Sequence, residues 1–113
     1  MILALLAQVA LAQNPFAVTH PKVIGGPIFH ADDYPMEARR SLWSGTVIAD
    51  LKINERGTVD ECKIVESSGH KLLDDTTCSI LVKRARFKPA RDKDGNAVVD
   101  TFRTPGIGWA AIP

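Results

Sequence analysis

Residues 45–90 read GTVIADLKINERGTVDECKIVESSGHKLLDDTTCSILVKRARFKPA, and the change of period within this stretch decides the fold. Thr46 to Asn54 alternates, with Val47, Ala49, Leu51 and Ile53 on one face and Asp50, Lys52 and Asn54 on the other, the pattern of a half-buried strand. Asn54-Glu55-Arg56-Gly57 reads as a turn whose glycine takes the left-handed conformation, so Thr58 to Glu66 is expected to return as the second strand of a hairpin. The inward residues of that strand are Cys62 and Ile64. Val59 is one residue out of step with them, which predicts a bulge near Asp60-Glu61. Beyond Ser67-Ser68-Gly69 the period lengthens. Leu73, Thr77, Leu81 and Ala85 form one row with Cys78 and Val82 beside it, a helix face turned toward the sheet. Asp74 and Asp75 stand in its first turn and Lys83, Arg84 and Arg86 in its last, the sense that complements the helix dipole. Pro89 stops it.

Outward from this block, Asp92 to Asn96 (DKDGN) reads as a turn and Ala97 to Thr104 (AVVDTFRT) as a third strand, ended by Pro105 and Gly106. Upstream, Met36 to Leu42 (MEARRSL) places helix formers directly behind Tyr34-Pro35, which predicts a short first helix ending near Ser44-Gly45. Gln13 to Phe29 carries Pro15, Pro21, Gly25, Gly26 and Pro27 without a period and reads as an extended lead-in rather than an element. The class is therefore α+β. If the second helix returns the chain along the sheet, the third strand must lie beside the first. The expectation is a three-stranded antiparallel sheet in the order 2-1-3, two helices on one face, and the topology α-β-β-α-β. Both outer strands then keep free edges. The second carries Asp60, Glu61, Lys63 and Glu66, charges that discourage pairing, and the third carries fewer, so the third is the better docking edge.

The 113 residues, 45% of them hydrophobic, allow one globular domain. A formal net charge of +1 gives no reason to expect nucleic acid as a partner. Met1 to Ala12 (MILALLAQVALA) is apolar apart from Gln8 and ends in the small-x-small pattern that precedes a signal-peptidase cut. Residues 1–12 are thus expected to be a signal peptide or a truncated membrane anchor, 13–29 the lead-in and 30–113 the folded domain. Membrane contact is expected only if residues 1–12 are an uncleaved or truncated anchor, because a full span needs ~20 apolar residues. Two cysteines in a small exported domain point to a disulfide between Cys62 and Cys78, which would staple helix to strand. The alternative is two separate buried thiols.

The residues offer little to catalysis. His20, His30 and His70 are dispersed without zinc spacing. Ser67, Ser68 and His70 lack a nucleophile elbow and read as a strand-to-helix turn with capping hydroxyls. Asp92 and Asp94 before Gly95 lack the outer ligands of a calcium loop. The Lys83, Arg84, Arg86, Lys88 and Arg91 cluster reads as a solvated helix end. No catalytic residue, cofactor or metal is expected.

Tyr34-Pro35 followed by Ala38, then Gly45-Thr46-Val47, Gly57, Ser67-Ser68-Gly69, Leu73-Asp74, Phe87-Lys88-Pro89-Ala90, Gly95 and Trp109 together resemble the C-terminal domain of TonB-family energy transducers. The resemblance spans about Tyr34 to Trp109, and the cysteine pair is similar to a subgroup in which strand and helix each carry one. It implies a periplasmic, Gram-negative envelope module, not an enzyme. Such a module binds a short extended segment of an outer-membrane TonB-dependent transporter, or of another envelope protein, by adding it as a strand to the free edge of the third strand. The binding residues it implies are Val98, Val99, Asp100, Thr101, Phe102, Arg103 and Thr104, with Tyr34 beside them. In that family a glutamine often precedes the Tyr-Pro pair, where this chain has Ala31-Asp32-Asp33. With neither a full anchor nor a Pro-rich spacer in the sequence, a stand-alone domain is expected. A structural or inhibitory envelope protein using the same fold without strand addition, a homodimer through the free edges and a small periplasmic enzyme stay open as alternatives.

Overall fold

The alternation in residues 45–66 builds the hairpin at the centre of the molecule. The structure, a computed structural model, describes residues 13–110, so the segment expected to be a signal peptide or anchor lies outside the described residues. Strand β3 (Gly45–Ile53) buries Val47, Ala49, Leu51 and Ile53 and pairs antiparallel with β4 (Val59–Glu66). Lys52 faces Glu61 and Ile53 faces Val59, so Asp60 is the extra residue of a bulge, and Val59, Cys62 and Ile64 all turn to the core side. A second shift, between Ile48 opposite Glu66 and Ala49 opposite Ile64, puts Val65 out of the ladder.

At the hairpin turn Gly57 has φ +81°, and a Cβ there would lie 2.0 Å from the Phe87 carbonyl oxygen. The Gly57 carbonyl in turn accepts the Phe87 N–H at 2.8 Å. Only glycine satisfies both the left-handed turn and this approach.

Helix α2 (Lys71–Arg84) lays the Leu73, Thr77, Leu81 row and the following Ala85 against the hairpin, all of them buried. Fully burying a leucine such as Leu51 or Leu73 contributes about 2 kcal/mol. Cys62 and Cys78 form a disulfide with Cα atoms 5.6 Å apart, tying β4 to α2. The first helix, α1 (Met36–Arg40), stops before the expected Leu42. Leu42 takes φ 56°, its N–H donates to the Arg39 carbonyl, and the Trp43 N–H reaches back to the Ala38 carbonyl at 2.9 Å. This is a Schellman ending with leucine where glycine is usual.

The α+β class holds, but the expected single three-stranded sheet and α-β-β-α-β topology do not: the described residues form nine strands in several sheets. Two of them, β1 (Ala17–Thr19) and β2 (Lys22–Ile24), come from the lead-in that was expected to carry no element. They find partners in the chain that leaves α2, because an extended segment after a helix presents unpaired backbone. Accordingly β2 pairs with β5 (Arg86–Lys88), and β1 with β6 (Ala90–Asp92). The expected third strand is broken at Val99. Its first part, β7 (Ala97–Val98), folds back on β6, while β8 (Asp100–Arg103) pairs with residues 50–53 of β3. Because β3 is nine residues long, β8 leaves its start uncovered. After Pro105 and Gly106, β9 (Ile107–Trp109) takes up the pairing at Gly45–Val47.

The core has two adjoining parts. Leu51, Ile53, Leu81 and Phe87 are in one. Ala38, Val47, Leu73 and Trp109 are in the other, and Ile28, Phe29 and Ile64 pack against both.

Candidate functional site

Strand β8 ends the sheet order β4-β3-β8. The Thr104 N–H donates to the Ala49 carbonyl at 2.9 Å. Ladder alternation then directs the amides of Phe102 and Asp100 to β3 and the backbone groups of Thr101 and Arg103 to the outer side. Pleating sets the side chains by the same rule: Asp100, Phe102 and Thr104 lie on the core face, Thr101 and Arg103 on the polar face.

Most of the side chains expected to bind a partner have intramolecular work. Arg103 forms a two-pronged pair with Asp50, Nε to Oδ1 at 2.7 Å and Nη2 to Oδ2 at 2.9 Å, and the hydrogen bond to that carboxylate holds the guanidinium's pKa above its ordinary value. Phe102 packs against Phe87 with ring centres 5.0 Å apart. The Thr104 hydroxyl accepts the Ala49 N–H at 3.0 Å. Val98 pairs with Ala90 in the neighbouring hairpin. Tyr34 donates its hydroxyl to the Trp43 carbonyl and stands edge-on to Trp109 at 5.3 Å. What β8 leaves available is backbone, chiefly the Thr101 carbonyl and the Arg103 N–H and carbonyl, since the Thr101 N–H donates to Asp100 at 2.9 Å.

The lead-in reaches this edge, through residues that pattern reading did not single out. The buried Asp100 carboxylate accepts the Asn14 N–H at 2.8 Å and the Thr101 N–H at 2.9 Å, and pairs with His20 Nδ1 at 2.9 Å. The Asn14 side-chain amide donates to the Val99 carbonyl at 2.9 Å. No periodic signal marks Asn14 or His20, since the residues they meet at this edge lie 80 or more positions away. Beside them, Asp50, Lys52, Glu61, Lys63 and Thr101 line a groove of about 470 Å³ on the uncovered sheet face.

The strand-to-helix turn is a self-contained network. Asp74 accepts the Ser67 hydroxyl, the Ser68 hydroxyl at 2.7 Å and the Ser68 N–H at 2.9 Å. Burial pushes its carboxyl up, yet those three bonds and the nearby His70 outweigh it and leave the pKa below the ordinary value. Both serine hydroxyls are thereby engaged. At the other end of α2, Arg84 binds Asp33 at 2.6 Å, and Asp33 also accepts the His30 N–H. That bond to Arg84, with the His30 N–H, holds the Asp33 carboxyl below its ordinary value. Among the described residues no group of three or more His, Cys, Asp or Glu side chains is placed to hold a metal ion. None of the described helices is long and apolar enough to cross a membrane.

The chain is 34% identical over 83 residues to Protein tonB2 of Pseudomonas aeruginosa, a match covering 74% of this chain and 27% of that relative. This chain thus corresponds to about a quarter of the relative's length. Residues 31–105 match the family described as the Gram-negative bacterial TonB protein C-terminal, and the chain belongs to that family.

Proposed function

We propose that this domain is a TonB-related binding module of the Gram-negative periplasm that takes part in outer-membrane transport. It pairs with a short extended segment of an outer-membrane transporter laid along the outer side of β8. The observation that carries the reading is the one-sided pairing of β8, whose Thr101 and Arg103 backbone groups face away from β3. Strand addition uses such an edge for main-chain hydrogen bonds, and side-chain positions on either face set the register. The opposite end of the sheet suits the role less: β4 carries two bulges and exposed Asp60, Glu61, Lys63 and Glu66. The role assigned is binding rather than catalysis.

The test is capture of a transporter segment by the immobilised domain, compared with Thr101→Pro. The Thr101 N–H is not part of the β3 ladder but donates to the Asp100 carboxylate at 2.9 Å, so the amide spectrum of the variant must first show the sheet intact; proline then obstructs the outer side. Capture lost in the variant supports the reading, and capture that survives it overturns it.

A further inference from the structure

Next to the outer side of β8, on the core face, the lead-in and the sheet leave an apolar cavity of about 240 Å³. Its floor is Leu51, Leu81 and Phe87, all buried, and its rim includes the half-buried Phe102 and the more exposed Val23 of β2. Thr104 also lines it, but no polar surface of the lining residues faces the cavity. The cavity therefore has nothing to offer a polar or charged group, and such a group would be buried without a partner.

From this cavity we infer that the domain has a side-chain subsite that selects a branched aliphatic or aromatic residue in the segment it binds. The inference rests on the strand-addition reading and fixes its register. Since Phe102 bonds to β3, the residue set opposite it on an added antiparallel strand belongs to a non-hydrogen-bonded pair, the closer kind, with Cα atoms about 4.5 Å apart. Paired residues share a face, so that residue points to the core side beside Phe102, toward the cavity. A cavity of about 150 Å³ accommodates benzene, so this one is large enough for isoleucine, leucine or phenylalanine. The neighbours on either side of that residue face Thr101 and Arg103 on the wet side and are free to be polar. The predicted recognition pattern is polar, apolar, polar, centred on Phe102, with Val23 of the lead-in completing the subsite.

The experiment titrates acetylated peptides Thr-Lys-Thr-X-Thr-Glu-Thr, with X as Ile, Phe, Ala or Asp, into the isotope-labelled full chain to millimolar concentration and follows its amide signals. The expected result is that the Ile and Phe peptides bind at least about tenfold more tightly than Ala and Asp, with contacts from X to Phe102 and Val23. In Val23→Asp, a change at a 41% exposed position, the ratio of Ile to Ala peptide affinity should fall to about one. Equal affinities for all four peptides, with Thr101 and Arg103 amides shifted, would overturn the subsite and leave strand addition standing. Amides that no peptide moves would overturn strand addition itself and the subsite with it.

Discussion

The indole N–H of Trp109 donates to the Thr77 hydroxyl at 2.8 Å, and that hydroxyl donates to the Leu73 carbonyl one helical turn back at 2.7 Å. A threonine in the buried row of α2 is thus the acceptor that lets β9 bring a tryptophan into the core, since a buried indole N–H needs a partner. Thr77→Val keeps the volume and leaves the indole unpaired. It should cost about 2 kcal/mol in denaturant unfolding. In the Trp109→Phe background, where no donor remains, the same change should cost far less, and equal costs in both backgrounds would contradict the assignment.

The Cys62–Cys78 bridge closes a sequence separation of 16. Reduction, or the double replacement by serine, should lower stability by about 3 kcal/mol on the loop-entropy model and Tm by more than about 10 °C. A thermal melt with and without reductant measures this.

Asp74 ties the acid response to the turn before α2. Its pKa is lower in the folded state, so its contribution is complete above the unfolded value of about 4 and is lost as pH falls through the folded value. Asp74→Asn should cost about 2 kcal/mol at neutral pH. The gap between variant and parent should narrow as pH is lowered below about 4, which unfolding curves across that range would reveal.

Asn14 holds the Val99 carbonyl at the start of the proposed docking edge. A partner strand reaching that far must displace it. Removing the side-chain bond with Asn14→Ala should then tighten binding about fivefold, the equivalent of one net hydrogen bond of about 1 kcal/mol. Unchanged affinity by calorimetry would mean that the added strand stops short of Val99.

The hairpin and α2 were legible because each buries one face across many residues, and burial writes a period into the sequence. Even the Asp60 bulge showed, since Val59 stood out of phase. The three-residue strands β1, β2, β5 and β6 are too short for any period, and their pairings, such as Ala17 with Asp92, join distant segments. The break at Val99 was hidden for a related reason. Val98 and Val99 look like uninterrupted strand, yet the chain leaves one neighbour for another there. Of the proposed docking edge, the sequence offered the strand as a candidate. It was silent on which side chains were already engaged, because the Asp50–Arg103 pair and the Asn14 contact depend on register and on long-range closure.

The most direct test of strand addition is hydrogen exchange at the Arg103 amide, which faces outward from β8, with and without an extended segment of an outer-membrane transporter from the same organism. The account predicts that exchange at Arg103 slows on binding by about the ratio of bound to free protein, while Phe102, already bonded to β3, changes little. Binding that leaves Arg103 exchange unchanged would contradict it.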